Sequence, residues 1–292
     1  IWIVSEDASP HIGCYGETAI ATPRLDAMAA GGVRFANAFV TCPVCSPSRS
    51  AMVLGMMQTS AAAHNHRSNN ANRKAGGNES YYASYTLPAD LPTVPELFAQ
   101  AGYYVTNGGK SKEDYNFVPR QELYHGKDWK GRAAGQPFFA QIQLQGGKAA
   151  PSYYADDPEI RVDCARYLNS WKYVDQEVGQ VLDRLQRENL LDNTAVFFFT
   201  DHGISHLRGK QFLYDEGIQV PLIVRLPGGA QAGQVRQDLV SHIDVAAASL
   251  QLAGIPLPSH IQGRPLGAPD HQPRELALRL RDGCEQTGEG KR

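Results

Sequence analysis

Residues 195–203 read "AVFFFTDHG": a short apolar run, a threonine, then an acid and an imidazole. A run of this length suits one fully buried strand and falls far short of a membrane span. Its character changes at once, so the strand delivers Asp201 and His202 at its carboxyl end. Residues 1–7, "IWIVSED", repeat the pattern and deliver Glu6 and Asp7.

The runs "YYVT" (103–106), "PFFAQIQL" (137–144) and "PLIVRL" (221–226) read as strands as well. Helical patterns lie between them. "TPRLDAMAAGG" (22–32) opens on Thr-Pro and stops on glycine, and "LPTVPELFAQAGY" (91–103) carries the same signals. Over 161–191, Tyr167, Trp171, Val174, Val178, Val181, Leu182 and Leu185 recur three and four apart, which marks one buried helical face. "HIDVAAASLQLAG" (242–254) closes on Gly254. Strands alternating with helices predict an α/β fold with a mostly parallel central sheet and helices on both faces. In such sheets the functional groups gather at the carboxyl ends of the strands.

With 292 residues, 42% hydrophobic and 20% charged, the chain has material for a sizeable core. Its formal charge of −2 sets up no global field for nucleic acid or an anionic membrane surface, so neither partner is expected. No apolar run is long enough for a membrane span. Five scattered cysteines (14, 42, 45, 164 and 284) do not make a disulfide framework. No signal-peptide pattern is present, but the chain opens inside an apolar run and stops at "GEGKR" without completing an element. Residues beyond both ends are therefore expected. Nothing in the pattern bears on oligomeric state.

If the strands at 1–4 and 195–200 lie side by side, Glu6, Asp7, Asp201 and His202 offer three carboxylates and an imidazole to one cation. Ca²⁺, Mg²⁺, Mn²⁺ and Zn²⁺ all remain open. Taken singly, each pair reads as a turn or helix cap, and only the two together point to a cation. Three strand ends also run on into cations: Lys110 and Lys112, then Lys148, then His206, Arg208 and Lys210. A metal with converging lysines describes a pocket for a tetrahedral oxyanion, and sulfate or phosphate transfer follows. "AHNHRS" (63–68) adds His64, His66 and Arg67 as substrate contacts or structural residues. The histidines at 11, 125, 242, 260 and 271 read as surface or capping residues.

A nucleophile is sought in "CPVCSPSRS" (42–50). Its C-x-x-C pair has neither a second pair for zinc nor a thioredoxin-like setting. Cys45 as an inert packing residue is the other simple reading. Against it, the following Ser-Pro-Ser-Arg sets a cation and two hydroxyls beside the sulfur. Cys45-Ser46-Pro47-Ser48-Arg49 resembles the Cys-x-Pro-x-Arg core of the sulfatase family, whose cysteine is oxidised to Cα-formylglycine. Gly55 in "SRSAMVLGMMQTS" falls at the helix turn that follows. "EDASPHIGCYG", "ATPRLDAMAAGGVRFANAFV", "TVPELFAQAGYYVTNGGK", "FFFTDHG" and "YDEGIQVPLIVRLPG" resemble further landmarks of that family, in order, across most of the chain.

The resemblance implies an alkaline-phosphatase-like catalytic domain over 1–275. "RELALRLRDGCEQT" then resembles the opening of a smaller C-terminal subdomain, here 276–292. "SED", "AHNHRS" and "KEDYNF" are most similar to heparan N-sulfatase-like and bacterial polysaccharide sulfatases. Carried over residue by residue, Glu6, Asp7, Asp201, His202 and residue 45 hold the cation, with Ca²⁺ favoured. Arg49 braces residue 45, and Lys110 and Lys210 hold the sulfate. Lys112 and Lys148 stand where the family more often has histidine, so Lys112, Lys148, His206 and His64 are candidates for the acid and base.

The expected function is hydrolysis of sulfate esters or sulfamates on a sulfated glycan, with His64, His66, Arg67 and Lys148 as substrate contacts. The partners implied are that sulfated carbohydrate and a formylglycine-generating maturation enzyme. The compartment implied is periplasmic or secreted, or lysosomal in a eukaryote. The alternatives are a phosphate or phosphonate monoester hydrolase of the same superfamily and a catalytically silent glycan-binding relative.

Overall fold

The computed structural model describes residues 1–66, 85–144 and 158–266. Seven strands form one sheet: β1 (Trp2–Ser5), β2 (Val33–Phe39), β3 (Tyr104–Gly109), β4 (Phe138–Gln143), β5 (Val196–Thr200), β6 (Leu222–Arg225) and β7 (Gln234–Ser241). Their order is β3-β4-β1-β5-β6-β2-β7. All neighbours are parallel except β6, which runs against both β5 and β2. The expected mostly parallel α/β sheet is therefore present.

Strands β2 and β7 were not expected. The first interrupts its apolar residues with Arg34 and Asn37, and the second is an edge strand exposed along its first half. Neither needs the continuous apolar run that marks a strand buried on both faces.

Alternation along β1 and β5 separates two apolar layers. Trp2, Val4, Phe197 and Phe199 face one layer, which contains Met52, Phe98 and Val245. Ile3, Val196 and Phe198 face the other, with Leu25, Trp171, Val174 and Val178. Helices α2 (Cys45–Leu54), α3 (Val94–Gln100) and α6 (His242–Leu252) supply the first layer, and α1 (Pro23–Ala30) and α4 (Pro158–Arg187) the second; α5 (Asp215–Ile218) is a single turn before β6. Each fully buried side chain of this size contributes roughly 2–3 kcal/mol of transfer free energy. Trp2 also donates from Nε1 to Ser249 Oγ at 2.8 Å, which satisfies its one polar atom.

The face expected on α4 is the one that packs, although Val181 and Leu182 are only half-buried. Helix α2 is unusual in that all ten of its residues are buried. It stops at Gly55, whose φ of +62° suits glycine. No helix among the described residues is long and apolar enough to cross a membrane.

Candidate active site

The parallel register pairs Ser5 with Thr200, so the residues that follow β1 and β5 emerge side by side. Asp201 N–H donates to Ser5 O, and Ala8 N–H donates to His202 O, which carries the pairing past the strand ends. The two acidic pairs are thus brought together as the sequence suggests. Asp7 adopts the left-handed conformation, φ +50°, which asparagine and aspartate tolerate better than other side chains. Glu6 and Asp7 then diverge.

Asp7, Asp201, His202 and Cys45 each offer one ligand atom, all within 4.8 Å of one another, and all four residues are buried. Glu6 is not in this group. Its Oε1 lies 3.1 Å from Arg49 Nη2 and 2.7 Å from Lys112 Nζ, and its Oε2 lies 3.5 Å from Lys110 Nζ. Burial would raise the Glu6 pKa, but Arg49 and Lys112 outweigh it and hold the carboxyl below its ordinary range. Lys112 also lies 3.5 Å from Asp114.

Cys45 is the first residue of α2, and Pro47 sits in the first turn, where a missing N–H costs little. Arg49 follows one turn later and is wholly buried. Its Nε and Nη2 reach Asp201 Oδ2 at 3.1 and 2.9 Å, and Nη1 donates to Gln143 Oε1 at 2.5 Å. Asp201 Oδ1 accepts from the backbone N–H of Asp7 and of His202 at 3.1 and 3.0 Å. Burial would raise the Asp201 pKa, yet His202 and Arg49 keep it ionised and below the usual range.

Lys210 Nζ lies 3.1 and 3.2 Å from the two Asp7 oxygens and 3.1 Å from Cys45 Sγ. Ser205 Oγ donates to Asp7 Oδ2 at 2.5 Å. Burial opposes charge on Asp7, but His202, Lys210 and Ser205 together hold its carboxyl well below the usual range. Burial would also raise the Cys45 thiol. The hydrogen bond from His202 and the charge of Lys112 turn that into a net lowering, against the opposing charge of Asp201.

The donor set fits a divalent cation. His202 Nδ1–H donates to Gly203 O at 2.9 Å, which turns Nε2 toward Asp7 Oδ1 at 3.0 Å and Cys45 Sγ at 3.2 Å. A carbonyl that fixes the tautomer in this way is the usual support for a metal-binding imidazole. Burial alone would make His202 a weaker base, but Asp201 and Asp7 raise its pKa to about 10. Two buried carboxylates thus hold positive charge between them, as a cation in the same place would supply.

Other expected residues fall differently. His66 is exposed, with Nδ1 3.2 Å from Ser46 Oγ, next in the chain to Cys45. His64 is half-buried, and its Nδ1 meets no partner among the described residues. His206 packs its ring 5.6 Å from that of Tyr167, with Asp163 and His11 as charged or titratable neighbours. Arg67, Lys148 and 276–292 lie outside the described residues.

His242, read from sequence as a surface or capping residue, is buried behind α2. Its Nδ1 accepts from Thr41 N–H at 3.3 Å and its Nε2–H donates to Ser48 O at 3.0 Å, a neutral imidazole with both nitrogens engaged. Ser48 Oγ in turn donates to Asp201 O. Gln143 was missed too, although its signal exists: Gln141 and Gln143 are amides at alternate positions in an otherwise apolar strand. Ser205 had no such signal.

A family model described as Sulfatase matches residues 1–121 and 110–255. The chain is 28% identical over 322 residues to an ulvan-active sulfatase of Formosa agariphila, covering 90% of this chain and 53% of that protein. It is 27% identical over 323 residues to human N-acetylgalactosamine-6-sulfatase, covering 85% and 60%. Human N-sulphoglucosamine sulphohydrolase is 26% identical over 309 residues, covering 88% and 61%. The chain thus spans between half and two thirds of the length of these relatives.

Among solved structures, a phosphonate monoester hydrolase from Silicibacter pomeroyi superposes with a TM-score of 0.69 at 17% identity, covering 93% of this chain and 77% of that one. A protein solved with its substrate D-glucosamine-2-N,6-O-disulfate gives 0.66 at 18% identity, covering 91% and 78%. These two likenesses establish the fold, and the family model matches nearly the whole described chain, so the chain belongs to the sulfatase family.

Proposed function

We propose that this protein hydrolyses sulfate esters or sulfamates on a sulfated glycan. The observation that carries the proposal is the setting of Cys45 Sγ. It lies 3.1 Å from Lys210 Nζ and 3.2 Å from His202 Nε2, beside two buried carboxylates. The curated relatives are named for ulvan, N-acetylgalactosamine 6-sulfate and N-sulphoglucosamine chemistry, which supports a sulfated carbohydrate substrate. The family's periplasmic, secreted or lysosomal setting is proposed with it.

Asp7, Asp201, His202 and residue 45 would hold the cation, for which we propose Ca²⁺. When bound, it lowers the pKa of a coordinated hydroxyl and offsets charge on sulfate oxygens. Once matured by its formylglycine-generating partner, residue 45 supplies that hydroxyl in hydrated form, with a second hydroxyl on the same carbon for sulfate release.

The chain's own groups do the rest. Lys210 is held charged: burial would lower its pKa, but Asp7, joined by Cys45 in the unmodified chain, raises it. It stands beside the reacting atom, where sulfate oxygens gain charge. Glu6 acts on the pair Lys110 and Lys112, fixing both ammonium groups at the pocket edge rather than ligating the cation. Arg49 locks Asp201 and Glu6 in place. To His206, whose ring packs against that of Tyr167, we assign no role.

The test is mass spectrometry of the peptide bearing residue 45, with sulfate release measured on the same sample. Formylglycine at residue 45 with release from sulfated oligosaccharides is the expected result. An active sample whose residue 45 is unmodified cysteine would sink the mechanism. Preferential turnover of matched phosphate or phosphonate esters would sink the substrate assignment.

A further inference from the structure

The described surface exposes eight large apolar side chains, and three of them, Leu207 (61% exposed), Phe212 (50%) and Tyr214 (50%), fall in the single stretch 207–214. The others are scattered over α4, β7, the end of α6 and the chain just beyond it. Clustered exposure on a rigid scaffold marks a binding surface far better than isolated exposure does. This loop is rigid. Gly203 N–H donates to Gly217 O at 2.9 Å, closing its base, and a Cβ at Gly203 would stand 1.9 Å from Glu216 O. Lys210 N–H donates to Ile204 O, and Gln211 N–H donates to Pro43 O in the segment leading to Cys45.

Two non-glycine residues of the loop, Arg208 and Gln211, hold φ of +61° and +76°. Such conformations are unfavourable for residues other than glycine and persist where surrounding contacts impose them. The effect is to send neighbouring side chains in opposite directions. Lys210 reaches inward to Cys45 Sγ, while Arg208, Phe212 and Tyr214 face solvent. The Phe212 and Tyr214 rings lie 6.5 Å apart, and the Arg208 guanidinium sits 5.3 Å from the Tyr214 ring centroid.

We infer that Leu207, Arg208, Phe212 and Tyr214 form a sugar platform for the part of the glycan that adjoins the sulfated ring, an inference that rests on the sulfatase reading. The occupant must be continuous with a group held at Lys210, must carry anions for Arg208 and must present apolar faces to two aromatic rings. A sulfated or uronate-containing oligosaccharide meets all three conditions, because a pyranose ring shows C–H faces between its polar edges. An apolar peptide lacks the anion, and free sulfate lacks the ring.

The experiment measures binding without turnover, by calorimetry on Ca²⁺-loaded protein produced without the formylglycine-generating enzyme, so that Cys45 stays in place unmodified. The probes are inorganic sulfate and tetrasaccharides prepared from ulvan and from glycosaminoglycans. Phe212→Ala and Tyr214→Ala are expected to weaken the best tetrasaccharide about tenfold each, and at least fivefold more than they weaken sulfate. Phe212→Trp is expected to restore binding. Equal losses for sulfate and tetrasaccharide, or no loss, would overturn the platform. So would a change of oligomeric state on Phe212→Ala with tetrasaccharide binding intact, which would assign the patch to a second copy of the chain. Platform-dependent binding without hydrolysis by matured wild-type protein would keep the platform and discard the sulfatase reading.

Discussion

The two ends of the same sheet differ in the groups that gather there. At the amino end, Ile1, Phe98, Phe138, Phe197, Leu190 and Leu252 help line a cleft of about 420 Å³. At the carboxyl end of the same strands, buried Glu6, Asp7, Arg49, Asp201 and His202 crowd around Cys45. Apolar burial in mid-sheet stabilises the fold, whereas desolvating those charges costs free energy that their mutual pairing only partly offsets. One end therefore should answer to substitutions in activity and the other in stability.

The largest effect separating the ends is expected from Asp201→Asn. It should raise the Ca²⁺ Kd on the order of a hundredfold and lower kcat/KM by about a thousandfold or more. Calorimetry that finds wild-type affinity in this variant would break the assignment of the carboxyl end. Next is Phe198→Ala in the layer beneath. A loss of roughly 3–5 kcal/mol in urea unfolding is expected, with Ca²⁺ affinity changed by no more than about threefold.

His242 sharpens the comparison, since it is buried near the charged end yet neutral. Burial lowers its pKa from 6.5 to about 4. The unfolded chain therefore binds the extra proton first, and stability falls as pH drops from about 6.5 to about 4. That contribution amounts to roughly 3 kcal/mol. His242→Asn should flatten this part of the pH dependence of unfolding, and an unchanged slope would show that His242 charges without consequence.

Smaller still is Glu6→Gln. Ca²⁺ affinity should stay within about threefold of wild type while the inhibition constant of inorganic sulfate rises about tenfold, a loss suited to one charge-assisted contact. A collapse of cation affinity would return Glu6 to the ligand set. At the amino end, Arg225 meets Asp192 at 3.2 Å, but Asp192 is 80% exposed. Asp192→Ala should change stability by no more than about 0.5 kcal/mol in the same unfolding assay.

Much of this division is written in the chain. Strands β1, β4 and β5 are legible because burial on both faces demands continuous apolar runs. The acidic pairs are legible because each follows such a run directly, and Cys45 through Arg49 is legible as a motif. Strand β7 is not, because an edge strand tolerates polar residues. Nor was His242, whose burial follows from the docking of α6 against α2 rather than from any neighbour in sequence.

The sequence by itself determined the mostly parallel α/β class, the strand ends where the candidate site gathers and the family to which the chain belongs, since these follow from local polarity and short motifs. Only the tertiary structure decided how those residues divide. It placed β1 beside β5, turned Asp7 through a left-handed conformation toward Cys45 and left Glu6 among the lysines. It also sent Lys210 inward while its neighbours in the same loop stayed in solvent. The direction of a side chain at a strand end depends on backbone torsions and on charges that arrive from distant segments, and residue type alone carries neither.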